Sequence, residues 1–217
     1  MVYELKSVNV GKPQFVKRNG EELYTSFIKT PTTGRIAVTK FGLEGDEQAD
    51  KKHHGGEQKA VCVYPFEHFA YWEEQTGMKM SASAFGENLT IDGVAEDKVY
   101  IGDIFKWGDA QLQITHPRTP CQHISFVHTV KTFTKQVTQT GLTGFYAKVI
   151  QEGSASLHDS FVRTEQDPNL VSVAEINRLK YKDRNDQEGL ERAIQVEALE
   201  PELKASFTER LNKLKEQ

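Results

Sequence analysis

The chain has 217 residues, a hydrophobic fraction of 37% and a formal net charge of -4. That length suits one large domain or a domain with a small appendage, and so mild a charge gives no electrostatic footprint for nucleic acid. No apolar run is long enough for a membrane span, the N-terminus lacks the pattern of a signal peptide, and two cysteines make no disulfide framework, so a cytoplasmic protein with neither membrane nor nucleic acid as partner is expected.

In chain order, the first two-thirds is expected to be mostly β. Short runs of β-branched and aromatic residues recur at 8–16 (broken at Gly11 to Pro13), 23–28, 35–41, 60–64 and 87–91. Residues 65–75 are expected to form a helix with Pro65 at its first position and Phe66, Phe69, Ala70 and Trp72 along one face. Residues 104–107 and 110–114 form the clearest hairpin, joined by Gly108-Asp109, a pair suited to a type II′ turn. A second helix is expected over 126–138, and strands over 144–152 and 160–164. At 165–169 the composition changes and the rest is helical. Ser172-Val173-Ala174-Glu175 is a capping box, Asp186 opens a second helix, and Pro201 stands at the first position of a third. The expected fold is mainly β (α+β): a closed or partly closed β-barrel with interspersed helices over 1–166, and a three-helix appendage over 167–217.

Three runs carry chemistry. In Thr115-His116-Pro117-Arg118-Thr119-Pro120-Cys121-Gln122-His123, two prolines stiffen a loop that holds Cys121 near Arg118, His116 and His123, and such neighbours favour a thiolate. The residues leave open whether Cys121 is functional or a structural thiol, as Cys62 is taken to be inside an apolar strand. The run 42–59 is polar and glycine-rich, longer than a barrel turn needs. Its adjacent His53 and His54 fit no standard zinc spacing, whereas the Gly55-Gly56 backbone and Lys59 could form an anion-binding wall. In Ala84-Phe85-Gly86-Glu87-Asn88-Leu89, Gly86 implies a bend, and Glu87 and Asn88 offer an acceptor and an amide. Lys29 and Arg35 flank a turn and could face an anion or water.

These runs, in this order, resemble the MOSC family, named for the C-terminal domain of molybdenum cofactor sulfurase, and most closely its YiiM-like bacterial branch. The resemblance rests on residues 42–50 leading into His54-Gly55-Gly56-x-x-Lys59, on Phe85-Gly86-Glu87-Asn88-Leu89, on Pro117-Arg118-x-Pro120-Cys121 and on Phe145-Tyr146-Ala147-Lys148-Val149. Glu57 departs from the small residue expected there. The helical tail is similar to that branch's three-helix extension. The resemblance implies a MOSC-type β-barrel holding a molybdopterin-type molybdenum cofactor and reducing N-hydroxylated compounds such as hydroxylaminopurine. It makes Cys121 the catalytic residue, as molybdenum ligand or as carrier of a persulfide. The cofactor's soft metal and phosphate suit Cys121 on one hand and Arg118, Lys59, His54, Arg35 and the Gly55-Gly56 amides on the other, with Asn88 and Glu87 also placed at the cofactor. Two cysteines cannot hold an iron–sulfur cluster, and no Gly-x-Gly-x-x-Gly is present, so a separate electron-donating reductase is expected as partner. The alternatives are a sulfur carrier using a Cys121 persulfide and a non-catalytic cofactor-binding module.

Overall fold

The computed structural model describes residues 2–216. The N-terminal part comprises β1 (Val2–Val10), β2 (Gln14–Arg18), β3 (Glu21–Thr25), β4 (Thr30–Pro31), β5 (Ile36–Thr39), β6 (Gly42–Leu43) and the short helix α1 (Lys51–His54). Next come β7 (Val61–Pro65), α2 (His68–Thr76), β8 (Leu89–Asp92), β9 (Ile104–Trp107), β10 (Ala110–Pro117), α3 (His123–His128) and α4 (Phe133–Thr140). The chain ends with β11 (Phe145–Gln151), β12 (Gly153–Ala155), β13 (Phe161–Glu165), α5 (Val173–Tyr181), α6 (Gln187–Gln195) and α7 (Pro201–Lys215).

Seven strands close into a barrel in the order β13-β9-β10-β11-β7-β8-β1, with β1 returning to β13. Closure leaves this sheet without a free edge. Every neighbour in the ring is antiparallel except β7 and β8, which run parallel. The β9–β10 hairpin forms as expected, and of its two loop residues only Gly108 takes a positive φ (+57°). A Cβ there would lie 2.6 Å from the Ser154 carbonyl, so the turn needs glycine for both conformation and space.

Two local expectations are corrected. Pro65 does not open a helix; it ends β7 opposite Ile91, and α2 starts only at His68. A residue without an N–H terminates a ladder as readily as it starts a helix. The helix expected over 126–138 is two helices, because Thr129 takes a left-handed conformation (φ +58°) and caps α3.

All five residues of β7 are buried because both of its faces are covered. Val61 and Val63 face the barrel interior, whose apolar cluster continues into Ile176, Leu190, Ala193, Phe207 and Leu211 of α5, α6 and α7. The three helices therefore bury their stripes on the barrel as well as on each other. Their caps are as expected: Ser172 accepts the Glu175 N–H, Asp186 the Gly189 N–H, and Pro201 begins α7. The Glu175 carboxylate turns to Arg192 instead of back to its own cap. On the outer face, Tyr64 joins a second cluster with Phe69, Trp72, Phe85 and Phe133 beneath α2, α3 and α4. Each such side chain contributes about 1.5–3 kcal/mol on burial. This aromatic cluster is the floor on which the cleft's loops rest.

Candidate functional site

The end of β10 delivers the proline-rich loop. Pro117 pairs with Phe145, and the Arg118 N–H donates to the Gly144 carbonyl at 3.0 Å. The Cys121 carbonyl then accepts from the Ile124 N–H at 3.1 Å and the Thr134 hydroxyl at 3.0 Å. The loop is thus held at both ends. Cys121 is half-buried and lines a cleft of about 570 Å³, counted with its open mouth.

Arg118 enters the same cleft with only 6% of its surface exposed. Its guanidinium donates to the Phe85 carbonyl and lies 5.9 Å over the Phe27 ring. Among the described residues it has no carboxylate partner, unlike Lys29, whose buried ammonium is neutralised by Asp46 in the same wall. Burial opposes the charge on Arg118, and the Cys62, Tyr146, Cys121 and Glu87 groups around it raise its pKa; Cys62 and Tyr146, themselves pushed up by burial, are neutral near pH 7 and give the cation no counterion there. Lys59 donates to the His53 carbonyl at the end of α1, also without a carboxylate partner among the described residues. His54 and His123 face each other with ring centroids 6.1 Å apart. Burial, followed by repulsion from Arg118, pushes His54 down to about 4 and lowers His123 as well, so both are neutral near pH 7. The Ser26 hydroxyl, on the same wall, is buried without a hydrogen-bond partner. The cleft therefore presents the Cys121 and Cys62 thiols, two cations without carboxylate partners among the described residues, and an orphaned hydroxyl. Such a set calls for an anionic, oxygen-rich ligand, because buried polar groups left without partners cost stability.

The Phe85-to-Leu89 run aims Arg118. Glu87 is fully buried and accepts the Phe85 N–H (2.9 Å) and the Thr90 hydroxyl (2.6 Å), while burial raises its pKa. This fixes the Phe85 carbonyl that takes the Arg118 guanidinium. Gly86 has φ +71°, and a Cβ there would lie 3.0 Å from the Phe27 ring that walls the cleft. Asn88 lines the cleft, but its carbonyl oxygen accepts the Cys62 N–H at 3.0 Å and its amide donates to the Asn9 carbonyl at 3.3 Å. Both Glu87 and Asn88 are tied to the scaffold.

Of the residues expected from sequence, the fold brings Cys121, Arg118, Lys59, His54 and Asn88 to one cleft. Arg35 is not among its lining residues; its guanidinium is engaged by Asp109 (2.6 Å) and Asp159 (2.9 Å). Gly55 and Gly56 are also absent from the lining, and the Gly55 N–H donates to the Lys51 carbonyl at 3.2 Å. Sequence reasoning missed Ser26 and Tyr146 and treated Cys62 as purely structural, although it lines the cleft. Alternation was the available signal: Val61 and Val63, like Phe145 and Ala147, point into the barrel, so Cys62 and Tyr146 must point out of it.

A closed barrel with a thiol-and-cation cleft and three appended helices defines a class of cleft-bearing β-barrel protein. The MOSC domain model matches residues 50–165, and the YiiM-like, 3-alpha helix domain model matches residues 171–214. The chain belongs to the MOSC family, in the YiiM-like form that carries the C-terminal three-helix extension. It is 38% identical over 212 residues to the uncharacterized protein YflK of Bacillus subtilis, covering 98% of this chain and 96% of that one. The crystal structure of YiiM from Geobacillus stearothermophilus is similar to it with a TM-score of 0.82 and 36% identity, covering 96% of this chain and 99% of that one. A protein named "Reductase" from Gibberella moniliformis is 28% identical over 164 residues, which are 74% of this chain but 29% of that protein.

Among the described residues, no three His, Cys, Asp or Glu side chains converge as a metal site, and no helix is long and apolar enough to cross a membrane.

Proposed function

We propose that this protein is a molybdenum-cofactor-binding reductase of N-hydroxylated bases of the hydroxylaminopurine type, with Cys121 as the protein's ligand to molybdenum. The observation that carries this reading is Arg118, a buried guanidinium without a carboxylate partner among the described residues, in the cleft that Cys121 lines. A molybdopterin-type cofactor fits the donor set. It brings its own dithiolene to the metal, so the chain need add only a soft sulfur, and its phosphate needs the cations that the cleft leaves free.

In this reading Cys121 holds the metal, Arg118 and Lys59 take the phosphate charge, and the Ser26 hydroxyl gains an acceptor. Neutral His54 and His123 leave the electrostatics to those two cations. Such a cofactor, when bound, would supply the two electrons that reduce the N–O bond. The net reaction is R–NHOH + 2 e⁻ + 2 H⁺ → R–NH₂ + H₂O. Its electrons come from a separate reductase, since the chain's two cysteines cannot hold a cluster. The Gibberella protein named as a reductase supports that division of labour, because most of its length lies outside the match.

Protein made in a cofactor-competent host and driven by reduced viologen should convert 6-hydroxylaminopurine to adenine, and Cys121→Ala should fall to background. Full turnover by molybdenum-free protein would sink this reading. A persulfide on Cys121 in pterin-free protein would favour a sulfur carrier instead.

A further inference from the structure

Tyr146 lies on the wall of the cleft with 8% of its surface exposed. The strand register sets it opposite Cys62 of β7 on one side and His116 of β10 on the other. Residues directly opposite in antiparallel strands share a face, so the three side chains form a row on the outside of the barrel. The Tyr146 ring packs 5.2 Å from the His116 ring, and its carbonyl accepts the Thr115 hydroxyl at 3.1 Å. Both ends of the residue are therefore fixed.

Its hydroxyl, by contrast, makes none of the side-chain hydrogen bonds found among the described residues and is not one of the fully buried orphaned atoms, so it is open to the cleft. Tyr64, on the outward face of the neighbouring strand β7, uses its hydroxyl fully: it donates to the Leu142 carbonyl at 3.0 Å and accepts from the Trp72 indole at 2.6 Å. Cys62, Arg118 and Cys121, all of which line the cleft, are the groups whose charge acts on the Tyr146 phenol. Burial, the largest influence on this phenol, keeps it protonated at neutral pH. It is thus a rigid neutral donor facing the space where a ligand sits beside Cys121.

We propose that the Tyr146 hydroxyl is a catalytic hydrogen-bond donor to the oxygen of the substrate's N–OH group. This rests on the reductase reading above. Charge matching separates it from the cofactor's phosphate: Arg118 and Lys59 suit the anion, whereas a neutral phenol suits the uncharged N–OH oxygen. As the N–O bond breaks, that oxygen gains negative charge, takes up one of the two protons of the net reaction and leaves as water, while the nitrogen takes the other proton and the two electrons replace the broken bond with one O–H and one N–H bond. A donor already aimed at it is worth more in that transition state than in the ground state.

Tyr146→Phe, made in a cofactor-competent host beside the wild type, is the test. Three readouts are needed: molybdenum and pterin content, thermal midpoint, and viologen-driven turnover of 6-hydroxylaminopurine. The expected result is kcat lower by roughly a hundredfold, as for loss of a single transition-state donor, with cofactor content and thermal midpoint unchanged or higher. Wild-type kcat and KM in the variant would overturn the proposal, as would a drop in cofactor content or thermal midpoint, since the hydroxyl would then be a cofactor contact or a structural group. Failure of the reductase reading looks different, because cofactor-loaded wild type would then show no turnover at all.

Discussion

Two arginines of the barrel, one half-buried and one buried, are treated in opposite ways. Arg163, on β13, meets the fully buried Asp103 at 3.0 Å, and Asp103 also accepts the Tyr100 N–H at 3.1 Å and the Asp167 N–H at 3.0 Å. Each charge there has its counterpart, and the cluster fastens β9 and β13 to the segment that leads into α5. Arg118, at the end of β10, has a carbonyl and a ring for company and no carboxylate among the described residues. Taking an ion out of water costs several kcal/mol unless it is paired. The first region is finished as a structure; the second is left with polarity that, in the proposed function, a ligand would match. Polarity left unmatched is what marks the cleft as the site.

Paired substitutions put that contrast under load. Arg163→Met strands the Asp103 carboxylate in the core and should cost about 3–5 kcal/mol in urea unfolding of cofactor-free protein. Arg118→Met removes a charge that has no counterion, so the same measurement should show stability unchanged or raised, while cofactor retention falls at least about tenfold, the size of one lost charge-assisted contact. If both variants lose stability equally, the contrast fails.

Acid should act next. Burial, with Lys59 and Lys180 nearby, pushes His116 down to about 3, and His54 lies at about 4. For groups depressed on folding, the stabilisation is complete above the unfolded value near 6.5 and is lost as pH falls through the window toward 4 and 3. Between pH 7.5 and pH 5, His116 alone should withdraw about 2 kcal/mol; His54, more open to solvent, withdraws less. His116→Gln should flatten this part of the urea-unfolding profile, and a profile identical to the wild type would contradict the assignment. The smallest effect is expected at Arg35, held by Asp109 and Asp159 outside the cleft lining. Arg35→Ala should leave cofactor content and turnover at wild-type levels, and a loss of cofactor would return this residue to the site.

What could be read from the residues was what local chemistry decides. Gly108-Asp109 and the caps at Ser172 and Asp186 depend on a few neighbouring residues, and all formed as expected. The break at Thr129 was hidden because a left-handed threonine leaves no compositional mark. Cys121 and Arg118 were legible because two prolines set their loop apart. Ser26, Cys62 and Tyr146 were not, since they reach the cleft only when β3, β7 and β11 converge on it. Arg35 misled because nearness to Lys29 in sequence suggested a shared anion, whereas Lys29 turned inward to Asp46 and Arg35 outward to Asp109.

In the proposed function a cofactor completes the cleft through Cys121 and Arg118. Molybdenum and released pterin, measured per chain in wild type, Cys121→Ala and Arg118→Met from the same cofactor-competent host, test it most directly. The expected result is both components in the wild type, molybdenum lost from Cys121→Ala, and metal and pterin lost together from Arg118→Met. Wild type free of both, or full cofactor content in Arg118→Met, would contradict it.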